Sequence, residues 1–260
     1  MPELAELKIM SDYINQTSNE KTFVKSFHVE KGNNPIEFRL LDIFKLKSES
    51  FGKELRLKIY HGVTSFNIAV FMGMSGNWKF VKTSDWLDTK YVRMRMDTDD
   101  GYSLLLYGSY MGPKYKIGGF SNKRGPDPTK KFEDFKQNVL GNLHRVVFNK
   151  PICEALLDQK YFNGIGNYLR STILYYLDVN PFEEARVVIT KYPQILDMCR
   201  DIPIKAYELN GGQLRDWKNP FDTDYVEFKK WVFYQKGLST KDKTGRTFWF
   251  DSKWENKSPY

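Results

Sequence analysis

The sequence predicts an α+β protein of two domains, in which a β-rich N-terminal half is followed by a helical C-terminal half. Short runs of alternating apolar and polar residues dominate the chain up to about residue 120. Apolar residues at helical spacing dominate after it, and the Gly- and Pro-containing stretch 121–131 separates the two patterns. A chain of 260 residues is long enough for two cores. We therefore predict domains at 1–122 and 123–260.

The N-terminal half is predicted to begin with a helix and to continue as strands. Leu7, Met10 and Ile14 recur at helical spacing in the opening segment. Strands are predicted in the alternating runs "FVKSFHVE", "ELRLKIY", "NIAVFMGM" and "YVRMRMDTDDGYSLLLY". The last run predicts a hairpin, because Asp-Asp-Gly at 99–101 is a turn sequence between two apolar strands.

The C-terminal half is predicted to be helical up to a final hairpin. Phe132, Phe135 and Val139 lie in helical register, and further helices are predicted in "PICEALLDQ", "GIGNYLRSTILYYL" and "YVEFKKWVFYQ". The run "LSTKDKTGRTFWF" contains two short strands around a Lys-Thr-Gly turn, which predicts a hairpin over about 236–250.

Composition and charge indicate a folded protein with a polyanionic partner. Hydrophobic residues make up 41% and charged residues 28% of the chain, and the net charge is +8. Such a charge favours nucleic acid, since each phosphate neutralised by a cation releases counterions; a generic basic protein is the alternative. No signal peptide and no membrane-spanning apolar run is present, so we expect an intracellular protein.

The cysteines and histidines do not predict a metal site. Structural zinc takes four Cys or His ligands in close pairs. Here Cys153, Cys199 and three histidines are scattered along the chain. We expect no zinc site, and we expect both cysteines to be buried and reduced; a disulfide between them is the alternative.

The opening residues "MPELAEL" place a secondary amine beside two carboxyl groups. Removal of the initiator methionine would leave Pro2 with a free amine, whose ordinary pKa of about 7.7–8.0 leaves a reactive fraction unprotonated at neutral pH. Such an amine can attack a sugar C1′ and form a Schiff base. Glu3 and Glu6 share one helical face and can act as general acids. The alternative is structural, because Pro and acidic residues both favour the first turn of a helix.

Several motifs, in order along the chain, resemble the formamidopyrimidine-DNA glycosylase/endonuclease VIII family. They are the opening Pro-Glu, "GKELRL" (52–57), "GMSG" (73–76), "KPICEALLDQKYFNGIGNYLR" (150–170) and "TGRTFWF" (244–250). The long block is similar to the family's helix-two-turn-helix module and is close to the vertebrate zincless type. The resemblance implies an N-terminal β-sandwich with flanking helices, then a helix-two-turn-helix domain ending in a zincless finger.

The resemblance also implies a reaction, the excision of oxidised, mainly pyrimidine-derived bases from DNA. Pro2 would be the nucleophile on C1′, Glu3 the acid that assists opening of the deoxyribose, and Glu6 a supporting residue. Lys53 would reach the DNA phosphate and the reacting sugar. The resulting imine would permit β,δ-elimination of the strand with no metal or organic cofactor.

Further residues would bind DNA. Gly164 and Gly166 permit a tight turn, and the N–H groups of the helix that follows form a natural phosphate site. Asn167 matches the family's phosphate-contacting asparagine, and Arg246 at the hairpin tip matches its finger arginine. A plain turn and an exposed surface arginine are the alternatives. The aromatic residues 248–250 are expected to pack the hairpin.

A flipped nucleotide leaves a gap in the stack that a side chain must fill. Met74 matches the family's wedge methionine, although a core methionine of a strand is the alternative. The family's second wedge carries Arg and Phe, which this chain lacks; Tyr110 or Met111 in "YGSYMGPKY" (107–115) would substitute.

Two other stretches are less typical of the family. Leu4 and Ala5 stand where the family has Gly and Pro. The stretch 208–217 is expected to hold the lesion loop.

The expected partner is damaged DNA, double-stranded, with single-stranded and bubble substrates left open, and the protein is expected to be a monomer. It would act in the nucleus of a eukaryotic cell, or otherwise wherever the genome is replicated. A non-catalytic DNA-binding protein on the same scaffold is the alternative; retention of Pro2, Glu3 and Lys53 together argues against it.

Overall fold

A computed structural model describes residues 2–28, 36–37, 43–88, 91–109, 112–212 and 217–260. The chain divides into two compact units. Unit 1 contains Pro2, Glu6–Phe120 and Asn210–Tyr225, and unit 2 contains Glu3–Ala5, Ser121–Leu209 and Val226–Tyr260. The chain therefore passes between the units more than once, and the domain limits at 1–122 and 123–260 stay a prediction.

Unit 1 is built from a long helix and antiparallel strands. Helix α1 spans Leu4–Thr17, so its first residues belong to unit 2. The strands are β1 (Phe23–His28), β2 (Ile36–Glu37), β3 (Lys45–Phe51), β4 (Glu54–His61), β5 (Thr64–Phe71), β6 (Asn77–Lys82), β7 (Val92–Thr98), β8 (Tyr102–Tyr107) and β9 (Lys114–Ile117). A 3₁₀ helix at Thr83–Asp88 follows β6.

These strands form two sheets in the described part of the chain, with the orders β2-β1-β7-β8-β6 and β3-β4-β5-β9. Several of these strands bury one apolar face, as the period of two allows. In β4, Leu55, Leu57 and Ile59 are buried while Lys58 between them is exposed. The buried faces of both sheets and the apolar face of α1 contribute to one core. The predicted N-terminal β-sandwich is thereby confirmed.

The predicted hairpin at 92–107 is present. Strands β7 and β8 pair in antiparallel register, and Gly101 in the turn between them has φ +85°. Val92, Met94 and Met96 alternate with more exposed residues and are buried, as their spacing predicts.

Unit 2 is helical and ends in a hairpin. Its helices are α2 (Phe132–Leu140), α3 (Ile152–Ala155), α4 (Asn167–Leu177), α5 (Ala185–Lys191), α6 (Ile195–Glu208) and α7 (Val226–Trp231). Strands β10 (Leu238–Lys241) and β11 (Thr247–Phe250) pair in antiparallel register. Phe248 and Phe250 are buried against Phe182, so the aromatic residues do pack the hairpin.

Cys153 and Cys199 are both free and buried. Burial raises the pKa of the Cys153 thiol to about 12 and also raises the pKa of Cys199. Both therefore behave as the small buried apolar residues that the sequence predicts, and the alternative of a disulfide between them is wrong.

The sequence patterns did not predict six elements, namely strands β2, β3, β6 and β9 and helices α5 and α6. For β3 and α6 the reason is identifiable. In β3 the buried positions include the polar residues Ser48 and Ser50, so the strand lacks the apolar alternation that marks a half-buried strand. The backbone N–H and carbonyl of Ser48 bond the side chain of Asn15. Helix α6 contains Pro203, a residue that normally ends a helical pattern. Among the described residues, no helix is long and apolar enough to cross a membrane.

Candidate active site

Glu3 is held by the first turn of helix α4, within unit 2. Its Oε1 accepts the backbone N–H of Tyr168 at 3.0 Å, and its Oε2 accepts that of Leu169 at 3.2 Å. These N–H groups lie in the first turn, where helix donors have no partner within the helix. Glu3 is only 2% exposed. A carboxylate near a chain terminus is therefore fixed in place by a helix far away in sequence.

Gly164, in the turn before α4, makes this approach possible. Gly164 has φ +102°, and a Cβ there would lie 2.5 Å from Leu4 Cδ1. The backbone N–H of Leu4 donates to the carbonyl of Gly164 at 3.2 Å. Leu4 and Ala5 are buried. The departure from the family's Gly-Pro at these positions therefore has a packing role: Leu4 fills the space that Gly164 leaves.

The start of α4 differs from the expectation in one respect. Gly166 is the residue before the helix, in extended conformation, as the predicted tight turn requires. The expectation was that the N–H groups of this turn point outward to a phosphate. Those of Tyr168 and Leu169 bind Glu3 instead.

Glu6 is buried in α1 and contacts the start of the expected lesion loop, within unit 1. Its Oε1 accepts the N–H of Gly212 at 3.2 Å. Gly211 has φ +63°, and a Cβ there would lie 2.9 Å from the same oxygen. Residues 213–216 of the expected loop lie outside the described residues. Pro2, two residues before α1, is buried in unit 1.

Lys53 lies in the tight turn between β3 and β4. Phe51 and Glu54 pair across the turn, and Gly52 has φ +56°, a left-handed conformation that glycine adopts at little cost. Lys53 follows it and is half-buried. The turn belongs to unit 1, as Glu6 does.

Met74 lies in a turn after β5 and is 43% exposed, so the alternative of a core methionine is wrong. Gly73 has φ +60°, and the N–H of Gly76 donates to the carbonyl of Met72 at 2.8 Å. A Cβ on Gly76 would lie 2.3 Å from that carbonyl oxygen, so this turn needs glycine. The turn therefore presents Met74 outward.

A second loop lies beside the Met74 turn. The hydroxyl of Ser75 is 2.6 Å from that of Ser109 and accepts the backbone N–H of Ser109 at 2.8 Å. Tyr110 and Met111, the expected partners of Met74, lie outside the described residues.

The turn of the final hairpin presents an exposed arginine. Asp242 is buried, and its Oδ1 accepts the N–H groups of Thr244 and Arg246 at 2.9 and 3.1 Å. Burial alone would raise the pKa of Asp242, but hydrogen bonds from Thr244, Arg246 and Arg170 together hold it below its ordinary value. Gly245 has φ +76°. The side chain of Arg246 is exposed at the tip.

Curated proteins similar to this chain are named as endonucleases. Human Endonuclease 8-like 1 is 30% identical over 96% of this chain and 72% of its own length. The chain belongs to the formamidopyrimidine-DNA glycosylase/endonuclease VIII family. Endonuclease 8 of Salmonella typhimurium strain LT2 is 25% identical over 81% of each chain. No family model matches the chain. The resemblance drawn from the sequence is confirmed, and with it the assignment to a family of DNA-repair glycosylases.

Solved structures of the family share the fold of this chain. The MutM (Fpg) protein of Thermus thermophilus superposes with a TM-score of 0.79 at 18% identity, covering 99% of this chain and 100% of that one. Wild-type Lactococcus lactis Fpg, solved with DNA containing an oxidized pyrimidine, gives 0.76 at 18% identity, covering 96% and 98%.

Within unit 2 the structure brings together several of the residues that the family resemblance singled out. Glu3 contacts the turn after Gly164 and Gly166, and Asn167 donates from Nδ2 to the carbonyl of Thr247 in the final hairpin at 2.7 Å. Pro2, Glu6, Lys53 and Met74 lie in unit 1. The described residues contain no group of three or more His, Cys, Asp or Glu that could hold a metal.

Sequence reasoning missed two residues that organise unit 2. Gln159 donates to the carbonyls of Leu157 and Ile165 and accepts the N–H of Gly164 at 3.1 Å, so it shapes the turn before α4. Arg170 is fully buried in α4 and pairs with Asp242. The signal for Arg170 was present, because a cation inside an otherwise apolar helical stretch requires a buried partner.

Proposed function

We propose that this chain is a bifunctional DNA glycosylase/AP lyase that removes oxidised bases, mainly pyrimidine-derived, and then cleaves the strand by β,δ-elimination. Membership of the family supports the class of reaction. The proposal concerns the finer points: the residues that react, the order of the steps and the type of lesion. The protein would act wherever the genome is replicated, which in a eukaryotic cell is the nucleus.

The observation that carries the proposal is the anchoring of Glu3. A terminal segment ordinarily frays, and a frayed segment cannot hold a reacting amine in place. Here the carboxylate next to Pro2 accepts two N–H groups of α4, and the Leu4 N–H binds Gly164. The residue that follows the proposed nucleophile is therefore fixed. Positioning of this kind is worth several kcal/mol in a reaction between two groups.

The amine of Pro2 would attack C1′ of the damaged nucleotide, and the bond from C1′ to the base would break with its electron pair on the base. The attacking nitrogen would pass its proton to the departing base. Glu3 would give a proton to the sugar ring oxygen, so that the C1′–O4′ bond breaks, the ring opens and a C1′–nitrogen iminium ion, the imine of a secondary amine, forms. This iminium ion makes the C2′ proton acidic. Its removal expels the 3′ phosphate, and a second elimination expels the 5′ phosphate.

Other residues would hold the DNA. Lys53 would contact the phosphate and the reacting sugar, while Asn167 and Arg246 would bind phosphates. Met74 is exposed on its turn and would fill the gap left by the flipped nucleotide, with Tyr110 or Met111 from the neighbouring loop. Glu6 would support the lesion loop through Gly212. Lactococcus lactis Fpg is solved with DNA that contains an oxidized pyrimidine, which supports damaged DNA as the partner.

Borohydride trapping tests the proposal. Lesion-bearing duplex DNA and the protein are mixed with borohydride, which reduces an imine to a stable amine. We expect a covalent complex, and mass spectrometry of its peptides should locate the DNA adduct on a peptide that begins at Pro2. The matched control carries one additional residue before Pro2, which makes the Pro2 nitrogen an amide and moves the terminal amine by about 3.8 Å.

The control should bind DNA with the same salt dependence and give no adduct on Pro2. An adduct on a lysine, or equal strand cleavage by the extended protein, contradicts Pro2 as the nucleophile. Salt-sensitive binding of lesion DNA without any trapped complex favours the alternative, a non-catalytic DNA-binding protein on this scaffold.

A further inference from the structure

Arg170 is a fully buried cation in helix α4 of unit 2. Its side chain has no solvent exposure, and that of its ion-pair partner Asp242 is 1% exposed. A buried guanidinium must have its N–H donors satisfied by protein groups, because a charge removed from water without partners is strongly destabilising. The partners of Arg170 therefore show what the side chain is for.

One side of the guanidinium is anchored to the protein interior. Its Nη1 donates to Asp242 Oδ2 at 2.9 Å and to the carbonyl of Cys153 at 2.8 Å. The guanidinium also lies over the ring of Phe248, 4.9 Å from its centroid. An arginine bound in this way has little freedom to move.

The other side of the Arg170 guanidinium donates two hydrogen bonds to a single atom of Asn167. Arg170 Nε and Nη2 donate to Asn167 Oδ1 at 3.0 and 2.6 Å. Two donors on one oxygen fix the orientation of the amide, since a rotated amide would turn its NH₂ group toward the guanidinium. The amide nitrogen is thus forced to the opposite side.

That nitrogen has two hydrogens, and the hairpin uses one of them. Asn167 Nδ2 donates to the carbonyl of Thr247 at 2.7 Å. Asn167 is only half-buried. Among the described residues no second acceptor lies within hydrogen-bonding distance of Nδ2, so one N–H is left for a ligand.

We propose that Arg170 is a positioning residue for DNA binding, which orients the Asn167 amide so that its remaining Nδ2–H is donated to a DNA phosphate. The proposal rests on the function proposed above, in which Asn167 contacts phosphate. Arg170 does not touch DNA. It acts through Asn167, and its anchors in the hairpin turn and in α3 keep the amide in that orientation before DNA arrives.

The test is a double-mutant cycle on Arg170→Lys and Asn167→Ala, read by the affinity for duplex DNA at a fixed salt concentration. Lysine keeps the charge but lacks the planar fork that donates twice to one oxygen. We expect each single variant to weaken binding by roughly tenfold, the loss of one hydrogen bond to a charged group, and to leave the slope of log K against log salt unchanged, because no cation that contacts phosphate is removed. The double variant should bind no worse than either single variant.

A matched structural control is Phe182→Leu. Phe182 packs edge-on against Phe250 at 4.9 Å and also against Phe248, so this change loosens the same hairpin but removes no hydrogen-bond partner of Arg170 or Asn167. It should lower the melting temperature and leave the affinity for duplex DNA unchanged below the unfolding transition. At saturating DNA the trapping rate of Arg170→Lys should equal that of the wild type, because the variant affects binding and not the chemical step.

An additive double variant, an unchanged affinity in Asn167→Ala, or an equal loss of affinity in Phe182→Leu overturns the proposal. Arg170→Gln, which keeps one donor in place of the fork, is used if Arg170→Lys does not fold. A wild-type chain that binds DNA but is never trapped contradicts only the proposed chemistry. A wild-type chain that does not bind DNA contradicts both proposals.

Discussion

Replacing Gly164 by alanine tests whether Leu4 and the turn before α4 fit together as the structure shows. Gly164 has φ +102°, and a Cβ there would lie 2.5 Å from Leu4 Cδ1 and 2.9 Å from Leu4 Cβ. The variant therefore has two costs. One is a backbone conformation that alanine adopts poorly, and the other is a collision with a buried side chain.

The two costs can be separated with a matched glycine. Gly101 has φ +85°, and a methyl group added there would have nothing within 4 Å, so Gly101→Ala carries the conformational cost alone, about 1–2 kcal/mol. Gly164→Ala carries a similar cost plus about 1–3 kcal/mol for overpacking. The total of about 2–5 kcal/mol corresponds to a fall in melting temperature of about 4–20 °C.

Thermal unfolding followed by circular dichroism measures both variants, together with Leu4→Ala and the double variant Leu4→Ala/Gly164→Ala. Truncating Leu4 makes room for the new methyl group, so the double variant should be more stable than the sum of the single effects predicts, by about 1 kcal/mol or more. The inference about this packing is refuted if Gly164→Ala costs no more than Gly101→Ala, or if the two changes at Leu4 and Gly164 are additive.

Two further predictions concern the cysteines and the exposed methionine. Because burial raises the pKa of both thiols, Cys153 to about 12, a thiol reagent at pH 8 should label neither cysteine in the native protein and both after unfolding; rapid native labelling would contradict their burial. Met74→Ala should change the free energy of unfolding by less than about 0.5 kcal/mol while slowing trapping on duplex DNA more than on single-stranded DNA. The control Met94→Ala, at a fully buried methionine, should cost about 2–5 kcal/mol, and equal losses of stability would contradict the placement of Met74.

Much of the fold follows from local patterns in the sequence. The period-two runs predicted β1, β4, β5 and the β7–β8 hairpin, because a half-buried strand must place apolar side chains on alternate positions. The helical spacing of Phe132, Phe135 and Val139 predicted α2 for the corresponding reason. Strand β3 was not predicted, since its inward position 48 is a serine, and the backbone N–H and carbonyl of Ser48 bond Asn15, a partner 33 residues away that no local window contains.

For the candidate site too, local motifs could be found in the sequence but partners distant in sequence could not. Pro2, Glu3, Asn167 and Arg246 could be singled out from the sequence, because each lies in a motif to which the family resemblance assigns a role in reaction or phosphate binding. Their partners could not. Two N–H groups of α4 that were expected to point outward donate to Glu3 instead. These hydrogen bonds join two segments that lie about 165 residues apart in sequence.

The sequence by itself therefore determined which chemical groups this protein carries, many of the stretches that become helices and strands, and to which family it belongs. These properties depend on residue types and on spacings of a few residues. Only the tertiary structure decided what holds the groups in place: the helix turn that receives Glu3, the glycine that admits Leu4, and the buried arginine that orients Asn167. Hydrogen bonds and close packing form between atoms that folding brings together, and their distances are set by the whole chain rather than by any short stretch of it.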